Sequence, residues 1–345
     1  MSEEEKKERL EKLTGAHVFW ASLVGSSYDL GIMNQAIIVP AMKATAQRLV
    51  LHQMYKNLLP KFNPQDSLDI NIKKALDALN EYLQFANHYN VSITQENSKM
   101  IATINIRKDS CMFCPVGVGG GPVDTSVCPY PPLFSTYFDV LAKNTLSFLT
   151  PKMKKEEKGY MKKEPQDCIM SFIFEEDDAF KSIYEILKSS VEKIQTTIEN
   201  ALKDGVISEE ELWDRNYIPV ENTNPQKYKT KFTDFMKKFI QPIEDEVLNL
   251  NKKFVFVVLV DENGYLPAHN TIYDQPLTGD YQKDLAGNRS MRIFNDPTGL
   301  AAAKNTDPIL FQIYPRDLGK ILYDVSMPVT INGKHWGALR IGFKD

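Results

Sequence analysis

Four cysteines and a set of arginines hold most of the chemistry this sequence can offer. The cysteines run Cys111-Met-Phe-Cys114, then Cys128, then Cys168 at the head of an alternating apolar segment, with none elsewhere in the 345 residues. A C-x-x-C pair in a turn-rich loop can present two thiolates to one ion, because Zn–S bonds of about 2.3 Å require sulfurs a few ångströms apart. The further spacing to Cys128 and Cys168 suits either zinc or an iron–sulfur cluster. The competing use is four separate cysteines buried as small apolar residues. Covalent haem attachment is excluded, since Pro115 follows the pair where His is needed. The run Gly117-Val-Gly-Gly-Gly-Pro122 lacks the Lys-Ser/Thr of a phosphate loop and suits a ligand loop better.

The arginines of interest are Arg289, Arg292, Arg316 and Arg340, set among aromatic and turn residues near the C-terminus. A guanidinium is a planar fork that matches a carboxylate, and neighbouring rings can hold it in place. Asp296 and Asp317 could orient such forks or receive a ligand amine. Structural Arg–Asp pairing is the alternative. The expected ligand site is therefore Tyr265, His269, Arg289, Arg292, Asp296, Tyr314, Arg316, Asp317, Trp336 and Arg340. His269 and His335 could also serve a metal or acid–base chemistry, but packed, hydrogen-bonded histidines are commoner. Neither G-x-S-x-G nor H-E-x-x-H occurs, and no catalytic residue is assigned.

Composition narrows the classes. Hydrophobic residues make up 43% and charged residues 25%, with a net charge of −4. That supports folded cores and shows no basic footprint for nucleic acid. No stretch approaches the roughly 18–20 apolar residues of a membrane span. The opening Met-Ser-Glu-Glu-Glu-Lys-Lys-Glu-Arg-Leu is unlike a signal peptide. The expectation is a cytoplasmic protein whose cysteines are reduced thiols or metal ligands.

The elements that must position these residues follow from periodicity. Helices are expected over 42–59, 66–89 and 134–149, strands over 91–94, 100–106 and 168–174, and a solvated connector over 151–163. Ile183, Ile186, Leu187, Val191, Ile194, Ile198 and Leu202 trace one face of a long helix over 179–203, able to serve as a domain connector or a dimer seam. Ser208-Glu-Glu-Glu-Leu212 has capping-box character, and Pro242 should break a helix over 232–251. The apolar run Phe254–Val260, a turn at Glu262-Asn263, and Ile331-Asn-Gly333 announce hairpins in a terminal sheet. The predicted class is α+β. A helical and sheet domain with a Cys-rich loop (1–175) comes first, then a long connecting helix (176–204), then an antiparallel sheet domain (205–345).

Residues 205–343 resemble the cytoplasmic PAS/Cache-like sensory region of some bacterial methyl-accepting chemotaxis proteins. The resemblance is carried by Ile207-Ser-Glu-Glu-Glu-Leu-Trp213, Tyr217-Ile-Pro219, Thr223-Asn-Pro225 and Asp261-Glu-Asn-Gly-Tyr-Leu-Pro-Ala-His-Asn270. It continues through Asn288-Arg-Ser-Met-Arg-Ile-Phe294, Gly299-Leu-Ala-Ala-Ala303, Tyr314-Pro-Arg-Asp317 and His335-Trp-Gly-Ala-Leu-Arg340. It implies a pocket for a small anionic or amino-acid-like ligand and a signalling partner. The long helical hairpin through which chemotaxis transducers signal has no counterpart here. Residues 1–175 more faintly resemble vinyl-reductase-like small-molecule-binding domains, which combine helices, a sheet and a cysteine-bound metal. The expected function is signal sensing. The alternative is a small-molecule hydrolase or a metal or redox sensor acting through the N-terminal cysteines. A homodimer is compatible with the helical stripe.

Overall fold

The computed structural model describes residues 11, 13–97, 99–114, 127–315 and 321–344, without the side chains of 314, 315 and 321. The chain divides into two compact units, Met1–Asp177 and Asp178–Asp345. Each mixes helices with antiparallel strands, so the α+β class holds for both.

In the first unit, α1 (Gly15–Asp29), α2 (Gln35–Tyr55) and α3 (Leu68–Leu83) precede β1 (Tyr89–Glu96) and β2 (Lys99–Arg107). Helix α4 (Tyr130–Lys143) follows, then β3 (Leu149–Met153), β4 (Lys162–Lys163) and β5 (Asp167–Glu176). The sheet runs β1-β2-β5-β3, with β4 also on β5. Its core is aromatic: Phe134 stacks on Tyr130 at 5.2 Å, and Phe138 meets Phe172 edge-on at 5.7 Å.

Several boundaries differ from the sequence expectation. Helix α2 starts seven residues earlier than expected and continues through Pro40. Helix α3 stops at Leu83 because Gln84 is left-handed at φ 51°, and Tyr89 already belongs to a strand. Helix α4 begins at Tyr130 and takes Pro131 and Pro132 into its first turn, where a proline lacks an N–H the helix would not have used. The segment expected as connector from Pro151 instead contributes to β3. That strand lies at the sheet edge, where a proline need not donate to a neighbour, and the Pro151 carbonyl accepts from Ser135 Oγ at 2.8 Å.

The second unit opens with α5 (Asp178–Lys203) and α6 (Glu209–Leu212), whose Ser208/Glu211 capping box is formed as expected. Strands β6 (Ile218–Val220) and β7 (Lys227–Lys229) lead to α7 (Thr233–Phe239) and α8 (Gln241–Leu248), broken before Pro242. Then come β8 (Phe254–Asp261), β9 (Tyr265–Leu266), α9 (Tyr281–Gly287), β10 (Arg292–Ile293) and α10 (Pro297–Lys304). The chain closes with β11 (Leu310–Pro315), β12 (Ile321–Ile331) and β13 (Lys334–Phe343). The main sheet is antiparallel in the order β11-β12-β13-β8, so the last strand lies beside the first. Asn332 and Gly333, at φ 51° and 77°, close β12 onto β13 in the tight turn that Asn-Gly favours. The expected β8–β9 hairpin is a turn without a ladder. Gly264 N donates to Asp261 O, but β9 then leaves the sheet and pairs with β10.

Period-two alternation gives this sheet two buried faces. The buried stripe of α5, including Phe180, Leu187, Ile194 and Ile198, packs on β12 and β13. Phe180 meets Phe311 at 5.4 Å, and Gln195 Nε2 donates to the Thr330 carbonyl at 2.7 Å. The regular helical stripe is therefore used within the unit. The other face carries Phe256, Val258, Val260, Leu322 and Ala338, grouped with Leu266 and Ala303.

Strand β8 is an edge, and side chains close its outward N–H groups. Val257 N donates to Asn270 Oδ1 at 2.8 Å and Leu259 N to Glu244 Oε1 at 2.7 Å. Glu244 is 1% exposed, and burial, opposed by the Leu259 hydrogen bond, raises its pKa well above the ordinary range. Asp245 and Asp274 push it further the same way. The folded state therefore keeps this proton to a higher pH than the unfolded chain, which ionises the group above about pH 4.3. Its contribution to stability is full below that pH and declines as pH rises toward the elevated folded value. Glu244→Gln keeps an oxygen for Leu259 N and cannot ionise. Thermal melts from pH 4 to 8 should show the variant gaining on wild type as pH rises; parallel curves would rule out a neutral Glu244.

Candidate functional site

Three residues of the expected ligand set, His269, Arg289 and Arg340, come together in the second unit, lining one cleft with Phe256, Val258, Val260, Leu266 and Phe294. The cavity enclosed between these walls is about 20 Å³. That is room for about one water molecule, so a larger ligand needs the walls to part.

The floor is the sheet. Strand alternation puts Arg340 on the face of Val258 and Val260, where it is 3% exposed. Its Nε and Nη2 donate to Asp324 Oδ2 at 3.1 and 2.9 Å. Asp324 is fully buried on β12; burial raises its pKa and Arg340 opposes that shift. Sequence inspection missed Asp324. Its signal was the two-residue offset from Ser326, the cross-strand neighbour of Arg340, which requires the strand register.

The roof is irregular chain fixed by hydrogen bonds. His269 N donates to Ser290 Oγ at 2.9 Å, and its ring packs edge-on against Tyr273 at 4.8 Å and Phe256 at 6.3 Å. Arg289 and Arg292 place their guanidinium carbons 5.1 and 4.9 Å from the same Phe294 ring, and each donates to the Leu285 carbonyl. Two guanidiniums thus lie close to one aromatic ring. Nearby, Lys227 is 7% exposed and donates to the Ser290 carbonyl at 2.9 Å. Desolvation first, and then Lys237 and Arg292, pull its pKa down to about 8, with Asp274 and Asp284 opposing. Positive charge is thus concentrated along the segment from Arg289 to Arg292.

Two glycines allow roof and floor to approach. Gly264, at φ 79°, lies where an added Cβ would be 2.4 Å from the Phe294 carbonyl oxygen, and Phe294 N donates to Gly264 O at 2.8 Å. Gly299 meets the same carbonyl, with a Cβ distance of 2.5 Å.

Other members of the expected set have structural placements. Tyr265 is fully buried; its hydroxyl donates to the Tyr228 carbonyl at 2.9 Å and accepts from Thr233 Oγ1 at 2.8 Å. Asp296 caps α10, accepting from Thr298 N and Gly299 N at 3.1 and 3.0 Å. Trp336 is buried against Phe232, its indole N–H donating to the Leu212 carbonyl at 3.1 Å. Arg292 is half-buried at the cleft's rim residue Phe294. Arg316, Asp317 and the Tyr314 side chain lie outside the described residues. His335 Nε2 hydrogen-bonds the Ala303 carbonyl at 2.8 Å, a packing role.

In the first unit, the cysteines arrive from separate elements. Cys111 follows β2 and bridges to Ala86; Cys128 precedes α4; Cys168 lies in β5 opposite Ile106. They converge closely enough for their charges to act on one another. Burial, then Cys111 and Cys114, raise Cys168 to about 11. Burial also raises Cys111 and Cys128, with the other thiols adding to the shift. Cys111 Sγ lies 3.5 Å from the Tyr130 hydroxyl. Thiols held neutral in this way are unlike an activated cysteine nucleophile. A thiol-only donor set suits zinc or iron, but among the described residues no three His, Cys, Asp or Glu side chains form a metal-holding group. Residues 115–126, which include the Gly117–Pro122 run, lie outside the described residues.

Comparison with known proteins places residues 31–174, most of the first unit, within a match to the MJ0207 family. No curated protein matches the chain. Among solved structures, the chain is similar to the extracellular domain of the histidine kinase vpHK1S-Z8 at 14% identity and a TM-score of 0.23. The alignment covers 49% of this chain and 58% of that one, a little over half its length. A likeness that slight carries no fold argument. Among the described residues no helix is long and apolar enough to cross a membrane.

Removing one member of the floor pair leaves a buried charge without its partner, which costs about 3–5 kcal/mol. Arg340→Ala should lose stability of that order in urea unfolding, and Asp324→Asn added to it should recover part. If the double variant is no better than the single, the pair does not dominate the floor.

Proposed function

We propose that the second unit is a sensory binding module for a small anionic or amino-acid-like molecule, making the protein a signal-sensing protein. The observation that carries this reading is the convergence of Arg289, Arg340 and His269 on one cleft with apolar walls. Apolar walls with a few convergent polar groups are the usual composition of a small-molecule site. A carboxylate placed between the roof and floor guanidiniums would gain charge-assisted hydrogen bonds. The sheet order, with the first strand beside the last and a long helix leading in, agrees with the PAS/Cache-like resemblance.

The physical route from ligand to signal is short. Val258 lines the cleft, while Val257 and Leu259 of the same strand are buried on the opposite side. Helix α5 packs on that opposite face of the sheet. A ligand that favours one setting of the strands therefore biases the packing of α5 by population shift. A signalling protein reading α5 is the partner this implies.

The test is thermal unfolding of the full chain with a panel of small monocarboxylates, dicarboxylates and amino acids. A member at a hundred times its Kd should stabilise by about 2.7 kcal/mol. Arg289→Ala should abolish that stabilisation; a variant stabilised as much as wild type removes Arg289 from the site.

For the first unit, the reading extends to the four cysteines as ligands of one metal, zinc or iron–sulfur. The donor chemistry supports it, and the thiols would have to draw closer together than they stand here to share one ion. Protein purified without oxygen should then hold about one zinc, or about two to four irons with matching sulfide, per chain in elemental analysis, halved or worse by Cys128→Ser. Metal-free protein with four titratable thiols would point to structural cysteines.

A further inference from the structure

A second cavity of the second unit is roomier than the cleft, at about 320 Å³ against about 20 Å³. It opens where α8 ends and β8 begins. Its apolar walls are Leu248 of α8, Phe254 and Val255 of β8, and Ile272 and Tyr273 of the turn Thr271–Tyr273. Val255 and Tyr273 also pack against the core cluster beneath the cleft, so these walls are backed by buried side chains and held apart. The volume falls within the range of small-molecule sites, which starts at about 300 Å³. The space is therefore already formed, whereas the cleft has to open to admit more than a water.

Its charge has one sign. Lys252 and Lys344 line the cavity, and no acidic side chain does. The carboxylates nearest the walls in sequence are engaged elsewhere. Asp245 accepts from Thr271 N at 2.9 Å, Glu246 pairs with Lys193 at 2.6 Å, and Asp274 pairs with Lys237 at 3.0 Å. Among the described residues, which stop short of Asp345, neither lining lysine has a carboxylate partner. Asn251, also in the lining, accepts from Lys253 N through Oδ1 at 3.0 Å, which leaves its Nδ2 to donate. Two uncompensated ammoniums beside an apolar space are complementary to a molecule with an anionic end and an apolar body. Phe254 and Tyr273 in the walls favour a flat ring as that body. We propose that this cavity is a binding site for a small aromatic carboxylate, with its ring against the apolar walls and its carboxylate toward Lys252 and Lys344. The site is separate from the cleft and does not depend on the ligand reading given there.

Calorimetric titration of the full chain with benzoate and phenylacetate tests it, with benzamide as the uncharged control. At least one of the two carboxylates should bind with a Kd of about 1 mM or tighter, and benzamide more weakly. Raising the salt should weaken the carboxylate and leave benzamide unchanged. Lys252→Ala and Lys344→Ala should each weaken carboxylate binding about threefold, and together about tenfold, the size expected of partly exposed ion pairs. Melts of the ligand-free variants should match wild type, since both lysines are exposed. Arg289→Ala should leave this binding intact, so a failure here is distinct from a failure of the cleft. No binding of either carboxylate at about 10 mM would overturn the proposal. So would benzamide binding as tightly as benzoate, or binding that survives the double lysine substitution and is lost in Arg289→Ala.

Discussion

A guanidinium buried on a sheet face sets the terms for the second unit. Arg340 cannot sit among Phe256, Val258 and Val260 without an anion, and Asp324 on the adjacent strand supplies one. Two of the guanidinium's five N–H donors, on Nε and Nη2, go to a single oxygen, Asp324 Oδ2. The pair therefore requires the β12–β13 register in which Ser326 stands opposite Arg340, since a one-residue slip would send Asp324 to the helix-covered face. The turn at Asn332-Gly333 and the clamp from Gln195 to Thr330 hold that register from the far end of the hairpin.

Given that floor, the roof has to approach it closely. The glycines at 264 and 299 admit the Phe294 carbonyl where any side chain would collide. Asp296 and the Ser290–His269 hydrogen bond then fix the chain on either side. The same segment brings Arg289 and Arg292 to Phe294. The cleft is less a gap between elements than the consequence of an irregular segment tied down at several points over a charged sheet.

The two faces of the sheet divide the work. One buries the stripe of α5, the other forms the floor of the cleft, and the strands are shared. The first unit uses its sheet differently. There the cysteines gather where β2, β5 and the start of α4 meet, held neutral by burial. Its outermost helix remains apolar toward solvent.

How much was legible in the sequence depended on how local the cause was. The capping box at Ser208, the break before Pro242 and the Asn332-Gly333 turn follow from a few adjacent residues, and the long helix from its own periodicity. Arg289, Arg340 and His269 could be chosen because guanidinium and imidazole groups set among aromatic and turn residues are conspicuous. The edge position that lets Pro151 sit in a strand could not be read, since it depends on which strands lie beside it. Nor could the roles of Tyr265, Asp296 and Trp336, whose partners are Tyr228, the α10 backbone and the Leu212 carbonyl. A side chain's type limits which bonds it can make. Which bond it does make is settled by what the fold brings within three ångströms, and that is a property of the tertiary structure alone.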